Sequence, residues 1–294
     1  MFEKLKLTVD LFNKVKVREK IYKRQFNVAC LQIKPKANFK SSLDEAIYLA
    51  EHAIEAGADI LTLPEYCGGL KTEGSTFAPP FISEESHPVL KGLKEFARNK
   101  KKFILIGSIA ISGPDEKILN RSYIIDDFGS IISRYDKIHL FDIKLSEKES
   151  YLESKTVFGG KKAVISKTSW GIIGHTICYD LRFPKLFREL SKKGAEILFV
   201  PAAFTKKTGE AHWHVLNRAR AIENGAFVIA PCSIGKIEGG GECYGHSLII
   251  NPWGKILADG GTSSGFINVN INLEEVNMAR VRIPSLSNDK PFGF

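Results

Sequence analysis

Three predicted strands end on a reactive residue: Glu65 after Ile60-Leu61-Thr62-Leu63-Pro64, Lys137 after Ser133-Arg134-Tyr135-Asp136, and Cys178 after Ile173-Gly174-His175-Thr176-Ile177. A thiol, a carboxylate and an ammonium together meet the needs of nucleophilic attack on an unreactive amide. The thiol supplies the nucleophile, the carboxylate takes its proton, and the cation stabilises the developing oxyanion. Taken singly, each has an ordinary reading: a small packed cysteine, a solvated carboxylate, a surface lysine. Convergence at strand tips is what makes them a candidate site, because open α/β sheets bind ligands beyond their strand ends.

The elements that must hold these residues read as short apolar strands alternating with amphipathic helices. Strands are expected over 26–33, 59–63, 103–109, 122–126, 131–135, 172–178, 197–200, 227–230, 247–250 and 265–270. Helices are expected after Ser42, where Ser42 and Glu45 form a capping-box pattern, over about 88–100, from Pro184 to about Lys192, and from about Glu210 to Asn224. This order predicts an α/β fold with mixed sheets covered by helices, in one continuous domain over 26–294. No internal repeat or low-complexity linker is visible in the sequence.

The chain has 294 residues, with 44% hydrophobic and 26% charged residues, an ordinary balance for a soluble globular protein. Its formal charge of +9 is uneven. Residues 1–24 hold eight Lys or Arg against three acidic residues, leaving +4 for the remaining 270. A nucleic-acid-binding body and a membrane partner are therefore not expected. Residues 1–25 read as a basic N-terminal extension, a strand or an amphipathic arm, lacking the marks of a secretory signal. Five cysteines without a CxxC pair indicate neither a disulfide framework nor a zinc knuckle, and a cytoplasmic setting is expected.

Other residues have ordinary readings. His212 and His214 are two apart where a helical metal pair is spaced by four, so no metal is expected. His175 lies three residues before Cys178, on the opposite strand face, and reads as a core histidine. Gly239-Gly240-Gly241 lacks the Lys-Ser/Thr of a phosphate loop and reads as a turn. Arg182 is placed to clamp a substrate carboxylate or to pair with a structural one. Phe204 and Trp213 line the pocket or form its walls, with Trp213 assigned to the walls.

Leu63-Pro64-Glu65, Tyr135-Asp136-Lys137-Ile138-His139-Leu140-Phe141-Asp142 and Cys178-Tyr179-Asp180-Leu181-Arg182-Phe183-Pro184 resemble motifs of the nitrilase superfamily of carbon-nitrogen hydrolases. So do Pro201-Ala202-Ala203-Phe204, Arg218-Ala219-Arg220-Ala221-Ile222-Glu223 and Asn251-Pro252-Trp253-Gly254, and the likeness runs from about Phe26 to Phe292. It implies a four-layer α-β-β-α sandwich and a homodimer or higher homo-oligomer. It also implies a Glu65-Lys137-Cys178 triad, with Glu153 as a second carboxylate beside the lysine and Glu147 and Glu149 as nearby alternatives. The segments most resemble the Nit branch. The implied activity is cofactor-independent release of ammonia from a small carboxylated amide, an ω-amide of a keto acid or deaminated glutathione, with Tyr179, Arg182 and Phe204 binding substrate. Alternatives are a nitrilase, although Tyr179-Asp180 stands where true nitrilases usually carry Trp-Glu, a carbamoyl-amide hydrolase, and a non-catalytic protein binding through the basic arm.

Overall fold

A computed structural model describes residues 24–74, 76–144 and 150–293. One sheet is built from β1 (Gln25–Gln32), β2 (Ile60–Thr62), β3 (Phe103–Ser112), β4 (Ile118–Ile125), β5 (Ile131–Asp136) and, from the far end of the chain, β12 (Gly265–Asn272). Their order is β12-β1-β2-β3-β4-β5. The second sheet runs β6 (Ile165–Thr168), β7 (Gly171–His175), β8 (Ile197–Phe199), β9 (Phe227–Ala230), β10 (Leu248–Ile250) and β11 (Ile256–Asp259) in spatial order.

The two sheets share one pattern of strand directions. In each, an antiparallel edge strand flanks three parallel strands, and two antiparallel strands follow. In that correspondence β2 matches β8, so the turn after Pro64 and the turn after Pro201 are equivalent places in two halves whose sequences show no repeat.

Alternation along the strands decides which face each residue covers. Phe26, Val28 and Cys30 of β1 turn toward the second sheet and meet Ile173, Ile197, Phe199, Phe227 and Ile249 in one buried layer, with Trp170 set edge-on to Phe26 at 5.1 Å. Ala29 and Leu31 turn the other way, onto helices α1 (Phe39–Glu55) and α2 (Pro88–Lys100). Helices α3 (Pro184–Lys192) and α4 (Lys206–Asn224) cover the outer face of the second sheet through Leu186, Phe187, Leu190, Trp213 and Ala221. The result is the expected α-β-β-α sandwich. The last helix, α5 (Glu274–Arg282), places Val276 in the layer between the sheets.

Several boundaries differ from the sequence reading. β3 runs on to Ser112, β4 begins at Ile118 rather than at 122, and β7 stops at His175, short of Cys178. α1 begins four residues before Ser42 would cap it, because the Asn38 side chain accepts the Ser41 N–H at 3.0 Å and so satisfies a free donor of the first turn. Glu45 instead accepts the Lys34 N–H and the Ser264 hydroxyl. α4 begins at Lys206 rather than Glu210. Arg24 and Gln25, assigned by sequence to the basic extension, belong to the folded body: Gln25 opens β1 opposite Asn272, and Arg24 ion-pairs with Glu196 at 2.7 Å and Glu274 at 2.8 Å. The rest of that extension lies outside the described residues, as do Glu147 and Glu149.

Candidate active site

Each reactive residue sits on a turn fixed by its neighbours. Glu65 follows β2, and its turn is stitched to β3, where the Ser108 hydroxyl accepts the Tyr66 N–H at 2.9 Å and the Ser108 carbonyl accepts the Cys67 N–H at 2.9 Å. Gly107 makes this approach possible, since a Cβ there would lie 2.2 Å from the Leu63 carbonyl oxygen. Lys137 follows β5, donating its N–H to the Asn120 carbonyl at 3.0 Å and accepting the Gly160 N–H at 2.7 Å.

Cys178 opens a short 3-10 turn, Cys178–Arg182, with φ of 48°. A left-handed backbone costs a non-glycine residue about 1–2 kcal/mol, and such strain persists only where surrounding bonds hold it. Here the Cys178 N–H donates to the Pro201 carbonyl at 2.8 Å and the Asp180 carboxylate accepts the Ile177 N–H at 2.9 Å. Tyr66, next to Glu65, is left-handed as well, with φ of 53°.

The three turns bring their side chains together below the surface: Glu65 is 3% exposed, Lys137 2%, Cys178 7%. The Lys137 ammonium donates to Glu65 Oε1 at 2.9 Å and to Glu153 Oε1 and Oε2 at 3.0 and 2.9 Å. Glu153 therefore lies beside the lysine. Its carboxylate also accepts the Tyr66 hydroxyl at 3.1 Å and the Phe141 N–H at 2.6 Å. The remaining oxygen of Glu65 accepts the Ala203 N–H at 2.9 Å, so the two equivalent turns of the two sheets meet directly at the site. Asn120 donates to Glu65 at 2.9 Å and Glu153 at 3.3 Å, bridging the carboxylates.

These contacts set the resting protons. Burial disfavours the Glu65 carboxylate, but the Lys137 charge and hydrogen bonds from Lys137, Ala203 and Cys178 outweigh it and hold its pKa below the usual carboxylate range. Burial alone would lower Lys137, yet Glu153 and Glu65 push it well above an ordinary lysine. Burial and the charge of Glu65 raise the Cys178 thiol well above its normal value, against the opposing effect of Lys137. These directions favour a neutral Cys178 thiol beside an ionised Glu65, with the Lys137 ammonium bonded to both Glu65 and Glu153.

A cleft opens onto this group. Its walls include Phe77, Phe141, Tyr179, Phe204, Thr205 and Thr208. Its cavity is about 10 Å³, on the order of one water molecule. Tyr179 and Phe204 line the cleft as expected. Arg182 does not; its guanidinium lies over the ring faces of both, 5.8 and 5.6 Å from their centroids, and 3.3 Å from His212 Nδ1. Trp213 is fully buried behind Phe204 and donates to the His246 carbonyl, a wall residue. His175 is buried and bonded to Ser166 and Ser133, away from the thiol chemistry.

Sequence reasoning missed Asn120, Tyr66, Phe77, Phe141 and the Ala203 N–H. Phe141 and Ala203 stand inside the motifs Tyr135–Asp142 and Pro201–Phe204, which was their only signal; Asn120 lies beside Arg121 and Ser122 in its strand, and nothing local sets it apart. Among the described residues, one group of metal-ligating side chains converges, His214, His246 and Asp259. The spacing of His212 and His214 did not foretell it, because His212 turns to Arg182 while His214 turns to Asp259. No helix among the described residues is long and apolar enough to cross a membrane.

The carbon-nitrogen hydrolase family profile matches residues 27–281. Deaminated glutathione amidase of Synechocystis is 39% identical over 269 residues, covering 90% of this chain and 97% of that protein. Omega-amidase NIT2 of Mus musculus is 31% identical, over 89% of this chain and 94% of that protein. The crystal structure of Saccharomyces cerevisiae Nit3, a member of branch 10 of the nitrilase superfamily, superposes with a TM-score of 0.78 at 28% identity, over 90% of this chain and 96% of that one.

Proposed function

The chain belongs to the carbon-nitrogen hydrolase family, and from that premise we propose that it releases ammonia from a small carboxylated amide through a thioester on Cys178. Hydrolysis of amides is the activity supported by its amidase relatives. The observation that carries the mechanism is the buried cluster itself: the Lys137 ammonium bonded to Glu65 and Glu153, with the Cys178 thiol lining the same cleft.

Glu65 takes the thiol proton as Cys178 Sγ attacks the amide carbonyl carbon, so no separate thiolate has to be stored. The oxyanion is met by the Lys137 ammonium and a backbone N–H. Because the Cys178 N–H is already committed to the Pro201 carbonyl, the Tyr179 N–H takes that role. Protonated Glu65 passes its proton to the departing nitrogen, the C–N bond breaks and ammonia leaves. Water then attacks the thioester carbon, Glu65 removes its proton, and the C–S bond breaks; the proton returns to Cys178 sulfur. Glu153 holds Lys137 in place, and its position beside Phe141 and Tyr66 fixes the carboxylate in turn.

Arg182 supplies the preference for a carboxylated substrate. A guanidinium lying on Tyr179 and Phe204 is next to the cleft walls and matches a carboxylate bidentately. Deaminated glutathione, which one relative's name gives, and the ω-amides of keto acids that the resemblance implies have such a carboxylate beyond the amide. An ammonia-release assay across these amides, neutral amides, carbamoyl amides and nitriles tests the reading. Carboxylated amides turn over fastest and Cys178→Ala is inactive with an intact fold; full activity in that variant rejects the mechanism.

We also infer a homodimer and a reducing, cytoplasmic setting. Val215 and Ile222 are exposed along one face of α4, with Ile222 against the turn that carries exposed Trp253, an apolar surface suited to a second copy. All five cysteines are free and buried.

A further inference from the structure

Away from the amide cleft, three side chains from three elements meet: His214 from α4, His246 from the turn before β10, and Asp259 from the end of β11. His214 Nε2 lies 3.0 Å from Asp259 Oδ2 and His246 Nδ1 lies 2.9 Å from Oδ1. One atom from each residue falls within 4.8 Å of the other two. A tetrahedral ion with bonds of about 2.0–2.2 Å places its ligand atoms about 3.3–3.6 Å apart. The carboxylate oxygens stand 3.0 and 2.9 Å from the rings, a few tenths of an ångström inside that spacing, so the two imidazoles must shift to admit the ion. Their side chains are 32% and 21% exposed, which leaves them room to do so.

The surroundings fix the group rather than leaving it to chance. His246 has φ of 52°, a left-handed conformation uncommon outside glycine. Its N–H donates to the Gly261 carbonyl at 2.8 Å and its own carbonyl accepts buried Trp213 Nε1 at 2.7 Å, so the strained residue is pinned from both sides. The Gly261 N–H donates to Asp259 Oδ1 at 2.9 Å and orients the carboxylate. Tyr244 stacks on the His246 ring at 4.5 Å. Such outer contacts orient ligands at metal sites.

We propose that His214, His246 and Asp259 bind one divalent transition ion of the zinc type, with a fourth position open to water. The cleft beside His246, about 700 Å³ and lined also by Lys206, Glu210 and Tyr244, gives solvent access to that position. In binding, the ion takes the place of the hydrogen bonds between Asp259 and the two rings. Each imidazole binds as the tautomer that carries its N–H on the nitrogen away from the ion and offers the lone pair of the nitrogen facing Asp259. The two nitrogens and one oxygen suit Zn²⁺ better than Mg²⁺ or Ca²⁺, which prefer all-oxygen sites. None of the three residues lines the amide cleft, so the ion joins α4 to the β10–β11 edge without entering the amide chemistry.

The test titrates Zn²⁺ into untagged full-length protein by calorimetry and Co²⁺ by visible absorption, with Cys178→Ala alongside to separate capture by the active-site thiol. One Zn²⁺ per chain binds at about micromolar affinity or tighter, Co²⁺ gives ligand-field bands, and Cys178→Ala retains both. His214→Ala, His246→Asn and Asp259→Asn each weaken binding by about tenfold or more while keeping the wild-type circular dichroism. Asparagine at 246 tolerates the left-handed backbone, so loss of binding there reports the missing imidazole. Zn²⁺ raises the melting temperature of wild type but not of Asp259→Asn. Affinity weaker than about millimolar, binding that survives all three substitutions, or binding lost in Cys178→Ala overturns the proposal.

Discussion

The Tyr135 hydroxyl donates to Asp180 Oδ2 at 2.7 Å, joining the strand that delivers Lys137 to the turn that delivers Cys178. The same oxygen accepts the Ile177 N–H, and Oδ1 accepts both the backbone N–H and the ring Nδ1 of His139. A fully buried carboxylate thus sets the distance between nucleophile and cation. Asp180→Asn keeps the shape but turns one acceptor into a donor facing donors, at a cost of about 1–3 kcal/mol. We expect kcat to fall by about 10-fold or more with little change in KM. Tyr135→Phe, which removes one bond, has a smaller effect. Steady-state kinetics on both variants decide this; a rise in KM alone would contradict the positioning role.

Glu65 opposes thiol ionisation electrostatically and serves it chemically. Glu65→Gln removes the base and cuts ammonia release by about 10²–10⁴-fold. The same change removes a negative charge that raises the Cys178 pKa while leaving Lys137 in place. Alkylation of Cys178 by iodoacetamide at neutral pH is therefore expected to quicken as turnover disappears. Mass-spectrometric labelling rates compare the two, and slower labelling in the variant would show that the charge balance is misassigned.

Gly107 is required for space rather than for backbone freedom. A methyl there would collide with the Leu63 and Pro64 carbonyl region at 2.2–2.4 Å and push the Glu65 turn off β3. Overpacking of this kind costs about 1–3 kcal/mol. Gly107→Ala is expected to lose most activity, with a melting temperature only a few degrees lower. Wild-type turnover in this variant would mean that the turn adjusts freely.

Burial pushes the His175 pKa down to about 4, and its Nδ1 has no hydrogen-bond partner. The unfolded chain takes up a proton near ~6.5, whereas the folded protein resists it until about 4. Stability is therefore complete above pH ~6.5 and falls as the pH drops toward ~4, by on the order of 3 kcal/mol for this group. Urea unfolding at the two ends of that range, on wild type and His175→Gln, measures the effect. The variant should show a flatter pH dependence whatever its absolute stability.

Arg182→Met removes the guanidinium and keeps an apolar stem against Tyr179 and Phe204. For a carboxylated amide KM should rise by about 10-fold or more, as expected for a charged hydrogen bond of about 1.5–3 kcal/mol, and for a neutral amide it should hardly move. Equal losses on both substrates would make Arg182 a packing residue.

Strand-tip chemistry was legible because it is local. An apolar run that stops on Pro64-Glu65, or on Cys178-Tyr179-Asp180, announces a turn at a sheet edge whatever the rest of the chain does. Glu153 was reached through family resemblance, since its own segment offers three glutamates in seven residues. Asn120, Phe77 and Phe141 were not reached, because each matters through neighbours tens of positions away. Asn120 meets Glu65 across 55 residues, and no local pattern encodes that distance.

The four-layer stacking came only through the family resemblance; by itself the amino-acid order determined the alternation of strands and helices and the reactive residue types at three strand ends. Periodicity and turn chemistry act over a few residues, and those features need no more. Tertiary structure decided the rest: that the turns after β2 and β8, equivalent in two sheets without sequence repeat, meet through Glu65 and Ala203; that one carboxylate, Asp180, spaces Lys137 from Cys178; and that His214 finds His246 and Asp259 instead of His212. Those relationships depend on burial and charge at separations set by packing, and only the folded chain brings the groups close enough to change one another's protons.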